Sequence, residues 1–170
     1  MPTISEAIVF GTVVASVGGC AVVDLYTRRV PNPLTLGIAA IGVTLAATHV
    51  SHVSVASAFA GIAVGLLLML PGHLIGAMGA GDVKLFAAVG SLLGPSRIGM
   101  AFLYTAMAGG ALAMVVALQR RRLGATVGRT AALVYTAGAN VAEIEGPSAD
   151  NRFAYAPAIA VGAIVAALGV

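Results

Sequence analysis

The chain has 170 residues, of which 59% are hydrophobic and only 9% charged, with a mean hydropathy of +1.02. A water-soluble domain carries about a quarter charged residues, so a soluble enzyme and a soluble binding module are both excluded. Lys and Arg exceed Asp and Glu by nine to six, a net charge of +3; the basic residues end apolar runs, which points to membrane topology and not to a nucleic-acid partner. The solvent implied is a lipid bilayer, where a backbone must satisfy its own hydrogen bonds as helices or as a closed barrel. The runs are continuous and rich in Ala, Gly and Leu, without strand alternation. They predict an all-α, polytopic membrane helix bundle of about six transmembrane helices, a single membrane-embedded domain over 1–170. The lone Cys20 excludes an internal disulfide and any multi-cysteine zinc site.

Ile4–Val23 is the first span, about 30 Å long at 1.5 Å per residue. Val17-Gly18-Gly19-Cys20 faintly resembles a lipoprotein cleavage site, but no basic residue precedes the run and Glu6 stands in its place, so a retained helix is expected. Cys20 is then a small packing residue. Asp24–Pro33 is a polar connection whose Arg28 and Arg29 mark a cytoplasmic side, and Pro31 and Pro33 prepare the next helix. Leu34–Thr48 is a second span, and His49–His52 an outer turn. The two histidines lack a third ligand, so a plain polar turn is expected and no metal. Val53 to about Leu70 returns, broken or loosened by Pro71-Gly72-His73, with His73 at the interface. A glycine-rich approach, Gly76–Gly81, leads to Asp82. Val83–Leu93 is a short fourth helix, stopped by Gly94-Pro95. Ile98–Leu118 is a fifth span, with small residues at Ala106, Ala108, Gly109, Gly110 and Ala111 for close packing; Arg120-Arg121-Arg122 stops it. Leu123–Ala142, broken by Gly124, Gly128, Arg129, Gly138 and Asn140, reads as a surface-lying or re-entrant segment. Glu143–Arg152 is a polar loop and Phe153–Val170 the last span.

An acid at bilayer depth is a functional-site candidate by default. Two crossings separate Asp24 from Asp82, so both carboxyl groups belong to one face. Loop charge agrees: Arg28, Arg29, Lys84, Arg120, Arg121, Arg122, Arg129 and Arg152 fall inside and Arg97 outside, and both termini face outward. Two carboxyl groups sharing a site cannot both ionise cheaply, so the pair holds a single proton. The ionised member takes a proton from water while the other hydrogen-bonds a substrate carbonyl, which is peptide hydrolysis without metal or cofactor. Gly79 and Gly81 permit positive φ and close approach of a substrate strand. Lys84 reads as a headgroup anchor, or alternatively as a group that tunes Asp82. Each acid also has a structural reading: Asp24 as a helix end near water, Asp82 as the N-cap of the fourth helix.

Gly79-Ala80-Gly81-Asp82-Val83-Lys84-Leu85 resembles the GxGD motif of the type IV prepilin peptidases, which are membrane aspartic proteases. Asp24-Leu25-Tyr26-Thr27-Arg28-Arg29-Val30-Pro31-Asn32 resembles the segment with their first catalytic aspartate, and Tyr155-Ala156-Pro157-Ala158-Ile159-Ala160 the start of their last helix. The resemblance implies Asp24 and Asp82 as the catalytic pair, with Gly79, Gly81, Lys84, Pro31 and Asn32 as substrate-binding or supporting residues. It implies a prepilin-like membrane protein as substrate, its basic leader removed after a glycine at the cytoplasmic face of the inner membrane. Larger members carry an N-terminal portion with paired cysteines associated with N-methylation. With no such pair, the expectation is the short, peptidase-only form found with Flp/Tad-type pili. Two other functions compete: a small proton-coupled carrier using the same acids, and a non-catalytic assembly factor of a pilus or secretion machine.

Overall fold

The computed structural model describes residues 4–27, 30–76, 78–119 and 155–169, and among these the apolar runs, punctuated by Pro, Gly and a few polar residues, fold as five helices. These are α1 (Ile4–Thr27), α2 (Asn32–Ala47), α3 (Val55–Leu74), α4 (Ala80–Gln119) and α5 (Ala156–Ala167), with no strand among the described residues. Among the described residues three segments are long and apolar enough to cross a membrane: Ile4–Thr27, Val55–Leu74 and Ala80–Val115 within α4; α2 and α5 are shorter apolar helices. The expected segment Leu123–Ala142 and the loop Glu143–Arg152 lie outside the described residues, as do Arg28, Arg29 and Arg120–Arg122.

Several boundaries depart from the sequence reading. Helix α1 does not stop at Val23. Nothing in Asp24-Leu25-Tyr26-Thr27 breaks a helix, and the Thr27 hydroxyl donates to the Val23 carbonyl at 2.8 Å, so Asp24 lies inside the last turn. Helix α2 begins at Asn32, because Pro31 in extended geometry (φ −64°, ψ 138°) precedes it and Pro33 has no N–H to lose in a first turn. It ends in a Schellman motif: His49 (φ 54°) donates to the Ala46 carbonyl and Val50 to that of Leu45, at 3.3 and 3.1 Å. The Ser54 hydroxyl caps α3 by accepting the Ser57 N–H at 3.1 Å. The break expected at Pro71 is absent, since a proline in the last turn removes one bond only; the helix runs to Leu74, and reversal waits for Gly76 at φ 73°. Helix α5 is shorter than the expected Phe153–Val170, set between Pro157 at its start and Gly169 (φ 77°) beyond its end.

The break at Gly94-Pro95 does occur. Gly94 (φ 74°, ψ 174°) interrupts α4 in a region open to glycine. Phe86 and Phe102 flank it equally along the chain, and their rings meet edge to face with centroids 6.2 Å apart. In a straight helix they would stand about 24 Å apart. Helix α4 is therefore a hairpin whose two limbs lie side by side.

The first limb is the centre of the bundle, with Val83, Leu85, Phe86, Ala88, Val89, Leu92 and Leu93 all buried. Lipid tails are as apolar as the helix surfaces, so close backbone packing must hold such helices together. Gly61 of α3 lies directly on Gly90 of α4, Gly65 on the Phe86 carbonyl, Gly42 of α2 on Ser91, and Gly162 of α5 on Thr105. Leu36, Phe59, Leu67, Leu103 and Met107 face outward, as a lipid-facing surface requires. Ser5 at the start of α1 lies 3.3 Å from His52, and Val53 packs on Gly94. The start of α1, the α2–α3 turn and the hairpin tip thus share one end of the bundle. The acids lie at the other.

Candidate active site

Asp24 is 5% exposed, and its Oδ2 accepts the Ala156 N–H at 3.4 Å, from a residue 132 positions away. An acid in the last turn of a helix faces the negative end of that helix's dipole. The N-terminus of α5 supplies the opposite field and a donor. Asp82 is 9% exposed and lies in the first turn of α4. The Gly79 carbonyl accepts the N–H groups of Asp82 and Val83 at 3.2 and 3.4 Å, which makes Gly79 the cap and Asp82 the third residue inside. The N-cap reading of Asp82 is thereby corrected. Its carboxyl instead turns back toward Gly79, the second half of a capping box, with Oδ2 3.4 Å from where a Cβ on Gly79 would stand.

The structure brings the two acids together, from separate helices, closely enough that the Asp24 charge acts on Asp82. Cys20, fully buried one turn before Asp24, lies in the field of Asp24, and the Tyr155 phenol in that of Asp82. Tyr155 and the Ala156 N–H are the parts of this cluster that the sequence reading left without a role. A signal for them existed. A helix opening Tyr-Ala-Pro has no Ser, Thr, Asp or Asn to cap it, so its free N–H groups must find an acceptor elsewhere.

The supporting residues are arranged differently from expectation. Neither Gly79, the cap, nor Gly81, helical as an acid in the third helical position requires, has positive φ; among the described residues of this approach the left-handed one is Gly76. The backbone that approaches Gly81 belongs to the chain itself: Val30 nitrogen and oxygen lie 3.6 Å from where its Cβ would be. Lys84 donates to Asn32 Oδ1 at 3.0 Å. Pro31, Asn32, Gly81 and Lys84 therefore form one seam, docking the α1–α2 connection on the start of α4. A cleft of about 340 Å³ opens beside it, lined by Asn32, Thr35, Leu36, Leu66 and Lys84 among others. Among the described residues no three His, Cys, Asp or Glu side chains gather as metal ligands. His49 terminates α2 and His52 lies beside Ser5.

An all-helical, apolar chain with a buried pair of acids at one end of its bundle is a membrane protein with a paired-carboxyl site. Residues 9–114, which carry both aspartates and make up more than half of the sequence, match the type IV leader peptidase family. The chain belongs to that family and is a peptidase. Comparison with curated proteins and with solved structures returned no match.

Proposed function

We propose that the chain is a membrane aspartic endopeptidase that removes the basic leader of prepilin-like proteins at the cytoplasmic face of the inner membrane, with Asp24 and Asp82 as its catalytic pair. The observation that carries this reading is the meeting of two buried acids from separate helices in a chain of the leader peptidase family. Burying one carboxylate is costly, and a second beside it adds repulsion, so the pair is best accommodated with one proton between them.

In that state the ionised carboxyl takes a proton from water, whose oxygen attacks the substrate carbonyl carbon. The protonated carboxyl gives its proton to the carbonyl oxygen as the tetrahedral intermediate forms. The C–N bond then breaks. The leaving amine takes the proton that came from water, the intermediate's hydroxyl returns the other, and the pair regains its single proton. Neither a covalent intermediate nor a metal enters these steps.

The proposed topology counts α1, α2, α3, both limbs of α4 and α5 as six passes. Lys84 lies at the acid end and Arg97, just past Gly94, at the other, while Arg28, Arg29 and Arg120–Arg122 adjoin the acid-end helices in sequence. The positive-inside rule then makes the acid end cytoplasmic. The test is cleavage of a reporter with a basic leader, a glycine and one apolar helix, using purified protein in detergent without any ion gradient. Asp24→Asn and Asp82→Asn should each abolish cleavage. Undiminished cleavage by either variant sinks the aspartic reading, and gradient-driven flux with an intact reporter would mark a carrier instead.

A further inference from the structure

The first residues of α5 touch both halves of the site. Ala156 donates to Asp24, and Tyr155 just before it is half-buried within the field of Asp82. The Tyr155 ring also lies on the second limb of α4. A Cβ on Gly109 would stand 2.7 Å from its Cε2 and 2.8 Å from its phenol oxygen. Helix α5 lacks a side-chain cap of its own, and Pro157 has no N–H to offer. Where α5 begins, and so where the Ala156 N–H points, is therefore set by how Tyr155 is seated.

We propose that Tyr155 is a positioning residue for the carboxyl pair: its ring, lodged against Gly109, fixes the start of α5 so that the Ala156 N–H holds Asp24 facing Asp82. This assignment rests on the aspartic reading above and adds a residue outside the family-matched stretch 9–114. Tyr155 acts through Ala156 and not on the substrate. Without the ring, the first turn of α5 loses its seat, and Asp24 can swing to another rotamer away from its partner. Such a displacement weakens the chemical step while leaving capture of the substrate unchanged.

The experiment measures kcat and KM separately for the full chain in detergent, with the leader–glycine–helix reporter as substrate. Tyr155→Phe keeps the ring, Tyr155→Ala removes it, and Gly109→Ala presses a methyl against it from α4. Misplacement by about 1 Å costs on the order of a hundredfold. Tyr155→Ala should therefore lose roughly 10- to 100-fold in kcat with KM unchanged, Gly109→Ala roughly tenfold, and Tyr155→Phe less than about threefold. Gly109→Ala keeps the proposal testable should Tyr155→Ala not fold. Parental kcat in both Tyr155→Ala and Gly109→Ala overturns it, and so does a loss confined to KM. A Tyr155→Phe variant as impaired as Tyr155→Ala also overturns it, because the hydroxyl and not the ring would then be the active part. Asp82→Asn run alongside separates the two readings: if it still cleaves, the aspartic pair fails whatever Tyr155 does.

Discussion

At the end of the bundle that holds Ser5, His52 and Gly94, polar and left-handed residues serve chain reversal. Ser54 caps α3, His49 closes α2 and Gly94 folds α4 back on itself. Each uses neighbours a few residues away. At the opposite end two carboxyl groups are buried inside helices, and the groups around them come from distant parts of the chain: Ala156 for Asp24, and Asp24 itself for Asp82. Turn chemistry explains the chain reversals at the first end. The second end meets helix N-termini with buried carboxyl groups, Asp24 at α5 and Asp82 at its own helix, where neutral caps would cost less free energy to bury. On the proposed reading, that contrast separates what folds the chain from what the folded chain is for.

The contrast is broken most directly at the acids. Asp24→Asn and Asp82→Asn should each lower kcat by about a thousandfold or more, and the double variant should be no worse than either single one, because groups that act as a unit are not additive. Their unfolding midpoints in detergent should equal or exceed the parent's, since relieving a buried charge commonly stabilises while it inactivates. Additive losses, or variants that unfold, would mean the acids hold the fold and do not serve the reaction. Gly61→Ala should act on both properties. Its methyl would meet the Gly90 backbone, which cannot swing aside as a side chain can. The helices must part, at a cost of about 3 kcal/mol, and the limb that carries Asp82 moves with them. Chemical denaturation and kcat together check this.

The helices and the co-location of the acids were legible because both depend on coarse quantities. Apolar runs are long in lipid, and two helices between Asp24 and Asp82 return the chain to the same end of the bundle wherever each helix ends to the residue. The Gly94-Pro95 break was legible from local chemistry. What escaped were contacts across long stretches of chain. Helix α1 continues through Asp24, whose partner is 132 residues on, and Lys84 pairs with Asn32 across 52 residues. A short motif likewise does not reveal that the Val30 backbone lies beside Gly81 or that the Asp82 carboxyl turns back toward Gly79. Tyr155 was visible only as the opening of a helix, and its meaning depends on Gly109 opposite it.

A milder way to sharpen the contrast is Gly94→Ala. A backbone at φ 74°, ψ 174° is nearly closed to residues with a Cβ, so the substitution should lower stability by about 2 kcal/mol. The nearest neighbours of an added Cβ, the Val53 methyls at 3.6 Å, are at ordinary contact, so the loss is backbone strain and not crowding. Because the hairpin tip lies a full helical limb away from Asp82, kcat in the folded fraction should stay within about twofold of the parent. A large fall in kcat with stability unchanged would show that the far end takes part in the reaction.

The smallest effect is expected at Ser54. Its hydroxyl accepts the Ser57 N–H at 3.1 Å and also lies 3.0 Å from the Ser57 hydroxyl, so Ser54→Ala strips the first turn of α3 of its side-chain acceptor. Loss of such a cap costs about 1 kcal/mol. At this exposed end water can replace part of the bond, which keeps the figure from rising, and Asp24 and Asp82 lie at the other end of the bundle. Denaturation in detergent should register the loss while kcat and KM remain those of the parent. Ser54→Asp should restore the cap, because a carboxylate at that position accepts the same N–H and is favoured by the positive end of the helix. An acid at the far end would thus stabilise the fold through its own helix, whereas Asp24 depends on the N-terminus of another. Should Ser54→Asp instead destabilise α3, the far end is not the solvated, cap-governed region described above, and the difference between the two ends would have to be sought in their depth in the bilayer.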